Sequence, residues 1–315
     1  MRVVTYHFIR KFDTNFPFFK YLSFENFCRQ LDFFENKYGF VKLEDFLSLC
    51  QKPSNFANFH RIKGKILLTF DDAYREHFTL VLPELKRRGL FGIFFIPTGI
   101  YQNKKVLDVH KIYYLLGKHG GKKLVTIGNF LAKDFSLKKV VGILRTNYDE
   151  IFFITEFKKF FNSLKNYSLR EKFLNKIALE LNEEEEKIFS EFYIAIEELK
   201  NIYKSQMIIG SHSVNHYILS DLDKKSQEQE IVKSFEFLEN LFGTLEPKLF
   251  CYPYGMCDTF TNTTQKILEN QRCDFSFSSE SRDVELKDFL YYKQRLPRYD
   301  CSEFLFGIPT FGNLV

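Results

Sequence analysis

The chain has 315 residues, of which 45% are apolar and 27% charged, a balance that excludes a disordered or fibrous protein and leaves room for a large core. A net charge of +5 is spread along the chain without a stripe of Lys and Arg, so no nucleic-acid partner is expected. The longest apolar stretch, Leu90 to Pro97, falls far short of the roughly 20 residues a membrane span needs, and the opening Met-Arg-Val-Val-Thr-Tyr-His has neither an apolar signal region nor a small-residue cleavage site. Cys28, Cys50, Cys251, Cys257, Cys273 and Cys301 show no CxxC spacing and read as reduced thiols, which makes the cytoplasm the expected location. The 39 Phe read as compositional bias and carry no functional conclusion.

In chain order, Arg2 to Phe8 reads as a first buried strand and Lys65 to Phe70 as a second, ending in Asp71 and Asp72. Pro83 to Arg88 reads as helix, with Gly89 where a left-handed cap would stop it, and Leu90 to Pro97 as a third strand. This alternation predicts βα units around a mostly parallel sheet. From about residue 105 to 204 helical patterns dominate, including Glu171 to Leu181 and Glu184 to Tyr203, and the stretch reads as a largely helical insertion. Strand character returns at Gln206 to Ile209. A helix is predicted over Leu222 to Leu241, with Ser220 or Asp221 as N-cap and Gly243 past its end. Lys248 to Tyr252 and Asp274 to Ser278 are further strands. The predicted organisation is an α/β body over 1–104 and 205–315, interrupted by the insertion at 105–204.

Three features carry chemistry. Thr69-Phe70-Asp71-Asp72 closes an apolar strand, where parallel α/β folds collect catalytic groups. Two adjacent carboxylates there allow one to bind a metal and the other to accept a proton, although Asp also serves as a helix N-cap. His212-Ser213-Val214-Asn215-His216 follows the strand ending near Gly210, and its H-x3-H spacing sets two imidazoles one turn apart in a helix or helical loop. Two His and one Asp leave a fourth position open for water, the composition of a catalytic rather than a closed zinc site. Phe250-Cys251-Tyr252-Pro253-Tyr254-Gly255 forms a tight turn whose N–H groups suit a developing oxyanion. As a turn alone it carries no function.

In this order, TFDD, SHSVNH and YPYG resemble the signature of the polysaccharide deacetylases related to NodB, carbohydrate esterase family 4, over roughly residues 1–100 and 206–300. The resemblance implies a distorted (β/α) barrel that hydrolyses N-acetyl or O-acetyl groups on sugars. It makes Asp71 the general base, Asp72, His212 and His216 the ligands of Zn2+ or another divalent transition metal, and the Tyr254 N–H an oxyanion donor. The family's late histidine is missing, since none follows His216, but His7 stands in Thr-Tyr-His near the N-terminus. Circularly permuted members acting on poly-N-acetylglucosamine carry a Tyr-His motif there, which assigns His7 as the acid for the leaving amine.

Two further departures matter. Cys251 stands where many members carry an arginine that orients the catalytic aspartate, and Arg298, with Arg295 the weaker candidate, is expected to replace it by forking onto the carboxylate. The family's tryptophan is absent, and Asp274, Phe275 and Phe277 occupy its region, leaving the wall for the acyl methyl unassigned. His60, His77, His110 and His119 are expected at the surface, and no G-x-S-x-G elbow supports Ser211 or Ser213 as a nucleophile. The expected activity is metal-dependent N-deacetylation of an N-acylated amino sugar or glycan precursor. The rivals are a non-catalytic sugar-binding relative and another barrel metallohydrolase such as a phosphoesterase. The insertion is open to three roles: covering the site, recognising an acceptor, or mediating oligomerisation.

Overall fold

In chain order the strands are Arg2–Tyr6 (β1), Ile9–Arg10 (β2), Lys20–Ser23 (β3), Ile66–Asp71 (β4), Ile93–Ile96 (β5), Ile208–Ser211 (β6), Leu249–Cys251 (β7), Phe275–Phe277 (β8), Tyr299–Asp300 (β9) and Thr310–Phe311 (β10). The computed structural model describes residues 1–141 and 148–312, so residues 142–147 of the expected insertion and the last three of the chain lie outside it. Two units are distinguished. The first comprises Met1–Arg10, Leu22–Lys104 and Phe192–Pro309; the second comprises Lys11–Tyr21 with the described residues of Lys105–Glu191 and Thr310–Val315.

The first unit is built on a seven-stranded sheet in the order β8-β7-β6-β5-β4-β1-β9, parallel throughout. Every residue of β4, β5, β6, β7 and β8 is buried, the near-continuous apolar pattern of parallel strands covered on both faces. The stretch from Leu296 to Asp300 curls the sheet shut. Leu296 donates to Ser276 O and accepts from Ser278 N, both at 2.8 Å, while Tyr299 and Asp300 pair with Val4 and Thr5 of β1. The result is a distorted (β/α) barrel, and Arg298 lies in its closing stretch.

Helices form where caps and apolar faces dictate. Leu82–Arg88 ends on Gly89 in the left-handed conformation, as its sequence requires. The helix expected from Leu222 starts at Lys224: Asp223, not Ser220 or Asp221, is its N-cap and accepts from Ser226 N at 2.7 Å, because Leu219–Asp221 is taken up in a 3-10 turn. The pattern read as one helix from Glu184 to Tyr203 is two, Glu185–Phe192 and Ile196–Lys204. It breaks because Ile194 N–H donates to Ala73 O at 3.0 Å and Tyr193 bridges to Tyr74, tertiary bonds that no local periodicity announces.

The second unit is helical, with Asp108–His119, Gly121–Leu131, Glu150–Ser163 and Tyr167–Glu180 burying Leu115, Phe153, Phe157, Phe161 and Phe173. Near one end Glu183 accepts from Lys118 at 2.9 Å and pairs with His119 at 2.7 Å, so His119 is half-buried rather than at the surface. His110 is buried as well, which corrects its expected surface position, while His60 is exposed as expected. Among the described residues no helix is long and apolar enough to cross a membrane.

Candidate metal centre

The carboxyl ends of the barrel strands, the usual site of chemistry in such folds, bring the singled-out residues together. Asp71 ends β4 and Asp72 follows it, His212 follows β6, Cys251 ends β7, and His7 follows β1. Asp72, His212 and His216 are all buried, and their donor atoms lie within 4.8 Å of one another. Both Nε2 atoms face the same oxygen, Asp72 Oδ1, at 3.6 Å from His212 and 3.4 Å from His216. His212 Nδ1 donates to Cys251 O at 2.8 Å, which leaves the lone pair on Nε2, the atom turned toward Asp72. Burial pushes the His212 pKa down, against the pull of Asp71 and Asp72, so the ring is held in the neutral form that ligates. One carboxylate and two neutral imidazoles suit a divalent transition metal with open coordination positions.

The segment carrying the two histidines is a tight loop and not helical. Ser213 and His216 sit at φ 63° and 57°. Glu230, from the helix Lys224–Phe242, accepts from Val214 N at 3.1 Å, Asn215 N at 2.7 Å and Asn215 Nδ2 at 2.6 Å, and Ser213 Oγ accepts from His216 N at 3.1 Å. From the other side Gly99 N–H donates to Val214 O at 2.8 Å. A Cβ at Gly99 would stand 2.5 Å from that oxygen, so only glycine allows this approach. Asp72, Ala73 and Tyr254 also take positive φ, at 81°, 54° and 62°, which concentrates backbone strain around the centre.

Asp71 is locked on the other side of the centre. Arg298 forks onto it, Nη1 to Oδ1 at 2.9 Å and Nη2 to Oδ2 at 2.8 Å, with both residues buried. Thr5 Oγ1 donates to Oδ2 at 3.2 Å, and Cys251 Sγ lies 3.5 Å from the same oxygen and 3.0 Å from Arg298 Nη2. Burial alone would push Asp71 up, but Arg298 and His212 outweigh it and hold the carboxyl well below the usual carboxylate range. Asp71, His212 and Cys251 also have donor atoms close enough for a metal, but the Arg298 cation occupies two of the three, so this second grouping is closed. Arg295 is not the arginine on Asp71; it stacks near Tyr292.

His7 is 42% exposed at its side chain and places Nε2 3.9 Å from Asp71 Oδ2. Tyr254 packs its ring 5.1 Å from that of His216. Three residues near the centre escaped the sequence reading. Tyr74 donates to Asp72 Oδ2 at 3.0 Å, Glu230 braces the histidine loop, and His77, expected at the surface, is fully buried with Nε2 2.7 Å from His7 O. Tyr74 lies two residues past the aspartates, and that spacing was the one available signal; Glu230 and His77 find their partners only through the fold.

Residues 156–273 match the family model for polysaccharide deacetylase. Over that segment the chain is similar to the polysaccharide deacetylases. The match takes in His212, His216 and Tyr254, starts inside the stretch read as an unmatched insertion, and does not reach Asp71 or Asp72. Among solved structures, the deacetylase PplD of Streptococcus pyogenes in complex with acetate is similar at TM-score 0.56 and 14% identity, covering 95% of this chain and 91% of its own. IcaB from Ammonifex degensii is similar at TM-score 0.53 and 16% identity, covering 95% and 90%. The polysaccharide deacetylase BC0361 from Bacillus cereus gives TM-score 0.52 and 12% identity, covering 95% of this chain and 64% of its own. At such identities these likenesses establish the fold, the polysaccharide deacetylase barrel. No curated protein matches the chain.

Proposed function

We propose that the chain is a metal-dependent N-deacetylase acting on an N-acylated amino sugar or glycan precursor, with Zn2+ the favoured ion. The observation that carries this reading is the convergence of Asp72, His212 and His216 on one point beside an Asp71 locked by Arg298. Bound by those three residues, a divalent ion supplies Lewis acidity that favours hydroxide near neutral pH and polarises an acyl carbonyl.

The remaining work falls to the chain's own groups. Asp71 stays ionised throughout the working range, and among the described residues Oδ1 accepts only from Arg298, so one of its lone pairs is left to take a proton from the attacking water. The backbone N–H of Tyr254, beside His216, is assigned to the developing oxyanion. His7, partly exposed and close to Asp71, is assigned to deliver the proton that the departing amine requires. Arg298 aims Asp71, the task an arginine at position 251 would otherwise perform.

The test is acetate release from N-acetylglucosamine oligomers with and without chelator, alongside Asp71→Asn. The variant is expected to bind one zinc per chain as the parent does, while turnover falls by about 10² or more. Full activity in Asp71→Asn overturns the assignment of the base. Sugar binding without any acetate release favours the non-catalytic relative, and two metals per chain with phosphatase turnover favours the phosphoesterase.

A further inference from the structure

The turn directly after the paired aspartates touches both halves of the centre. Tyr74 is buried and donates its hydroxyl to Asp72 Oδ2 at 3.0 Å, on the carboxylate whose other oxygen faces both imidazoles. His77 follows one turn later, its N–H donating to Tyr74 O at 2.9 Å, and opens an irregular π-helical turn, His77–Val81. The same turn grips the segment after β1 at three points. Phe8 stacks on Tyr74 with ring centres 4.1 Å apart, His77 Nε2 meets His7 O at 2.7 Å, and Arg10 pairs with Glu76 at 2.7 Å.

The contact of His77 with a carbonyl fixes its tautomer: Nε2 carries the hydrogen and donates, and Nδ1 is bare. Among the described residues that bare nitrogen, buried among Phe70, Tyr74 and Phe94, has no hydrogen-bond partner. Burial pushes the ring's pKa down to about 4, so it stays neutral. A buried imidazole with one unsatisfied nitrogen is a costly way to fill a core that Phe or Leu would fill better. The cost is understandable if the donated bond to His7 O is what the position requires.

We propose that Tyr74 and His77 are positioning residues on a single turn: Tyr74 selects the Asp72 oxygen presented to the metal, and His77 pins the backbone of His7 so that its imidazole stands beside Asp71. This rests on the metal centre and the acid role assigned above. The two residues have separate readouts. Tyr74→Phe keeps the ring and its stacking on Phe8 but removes the hydroxyl's bond to Oδ2, so the zinc dissociation constant is expected to rise about tenfold. His77→Leu removes the donor to His7 O. Its effect is expected to fall on the step that needs a proton for the leaving group, lowering kcat on an N-acetylated sugar roughly tenfold more than on 4-nitrophenyl acetate, whose phenolate leaves unaided. His77→Gln, which keeps a donor at the Nε2 position, is expected to restore most of the amide activity.

Zinc affinity is measured by competition with a chromophoric chelator, and turnover with both substrates on the full chain. Unchanged zinc affinity in Tyr74→Phe, with the parent binding zinc normally, overturns the Tyr74 assignment alone. Equal losses on amide and ester in His77→Leu, or no rescue by His77→Gln, reduce His77 to a packing residue. If the parent itself binds no zinc, the functional reading fails and this proposal with it.

Discussion

At the scale of single residues, the Asp71–Arg298 pair decides how the carboxylate proposed as base is held. Both groups are buried, and the fork supplies two hydrogen bonds of 2.9 and 2.8 Å. Removing one partner of such a pair strands a charge, at a cost of about 3–5 kcal/mol, whereas removing both leaves no uncompensated charge. Arg298→Met is therefore expected to lower stability by that amount in urea unfolding, and Arg298→Met combined with Asp71→Asn to recover a large part of it. Equal stability of the single and double variants would show that the pair is not the source of the loss. This arginine was legible in the sequence because a missing cation at Cys251 demanded a substitute, and Leu296-Pro297-Arg298 offered one. His77 was not, because neither type nor spacing says that a histidine will be sealed against the carbonyl of His7, just past β1. A core histidine and a surface histidine look alike until the fold chooses its neighbours.

At the scale of elements, the histidine loop shows how motif spacing can bring two imidazoles to one aspartate and still misjudge the local structure. H-x3-H fits a helix, but the loop is shaped from outside, by Glu230 on one side and the amides of Thr98 and Gly99 on the other. The strands were readable from their apolar runs, and the stop at Gly89 from its glycine. The break between Phe192 and Ile196 was hidden because the amphipathic pattern continues through it while tertiary hydrogen bonds take over. The closeness of Gly99 to Val214 O carries a consequence for the metal. Gly99→Ala must displace the loop or the helical turn Gly99–Gln102 that it opens, and with it the separation of His212 and His216. The variant is expected to fold, with unchanged far-ultraviolet circular dichroism, and to bind zinc at least about tenfold more weakly, as perturbing the groups that orient ligands typically does. Zinc binding at parental affinity would mean that the loop absorbs a methyl group at 2.5 Å without moving its ligands, and that Glu230 alone sets its shape.

At the scale of the whole molecule, the three proposed metal ligands come from opposite halves of the chain and meet only when the first unit is folded. Binding to the native state alone must then stabilise that unit, by about 2.7 kcal/mol when free metal stands at 100 times its dissociation constant. The cysteines offer a direct readout. Cys257 is exposed, while Cys251, Cys273 and Cys301 are buried, all within the first unit. When refolding outpaces modification, labelling of a buried thiol follows the population of the open state, so saturating zinc is expected to slow labelling of these three about 100-fold. Cys257 should label at the same rate with or without zinc, and in Asp72→Ala the protection of the buried thiols should vanish. Mass spectrometry after timed alkylation in moderate urea resolves each site. If the buried thiols label equally fast in the presence of zinc, the three ligands do not share an ion in the native state. If protection persists in Asp72→Ala, the ion is held elsewhere, and in either case the centre built from Asp72, His212 and His216 is not the one that binds.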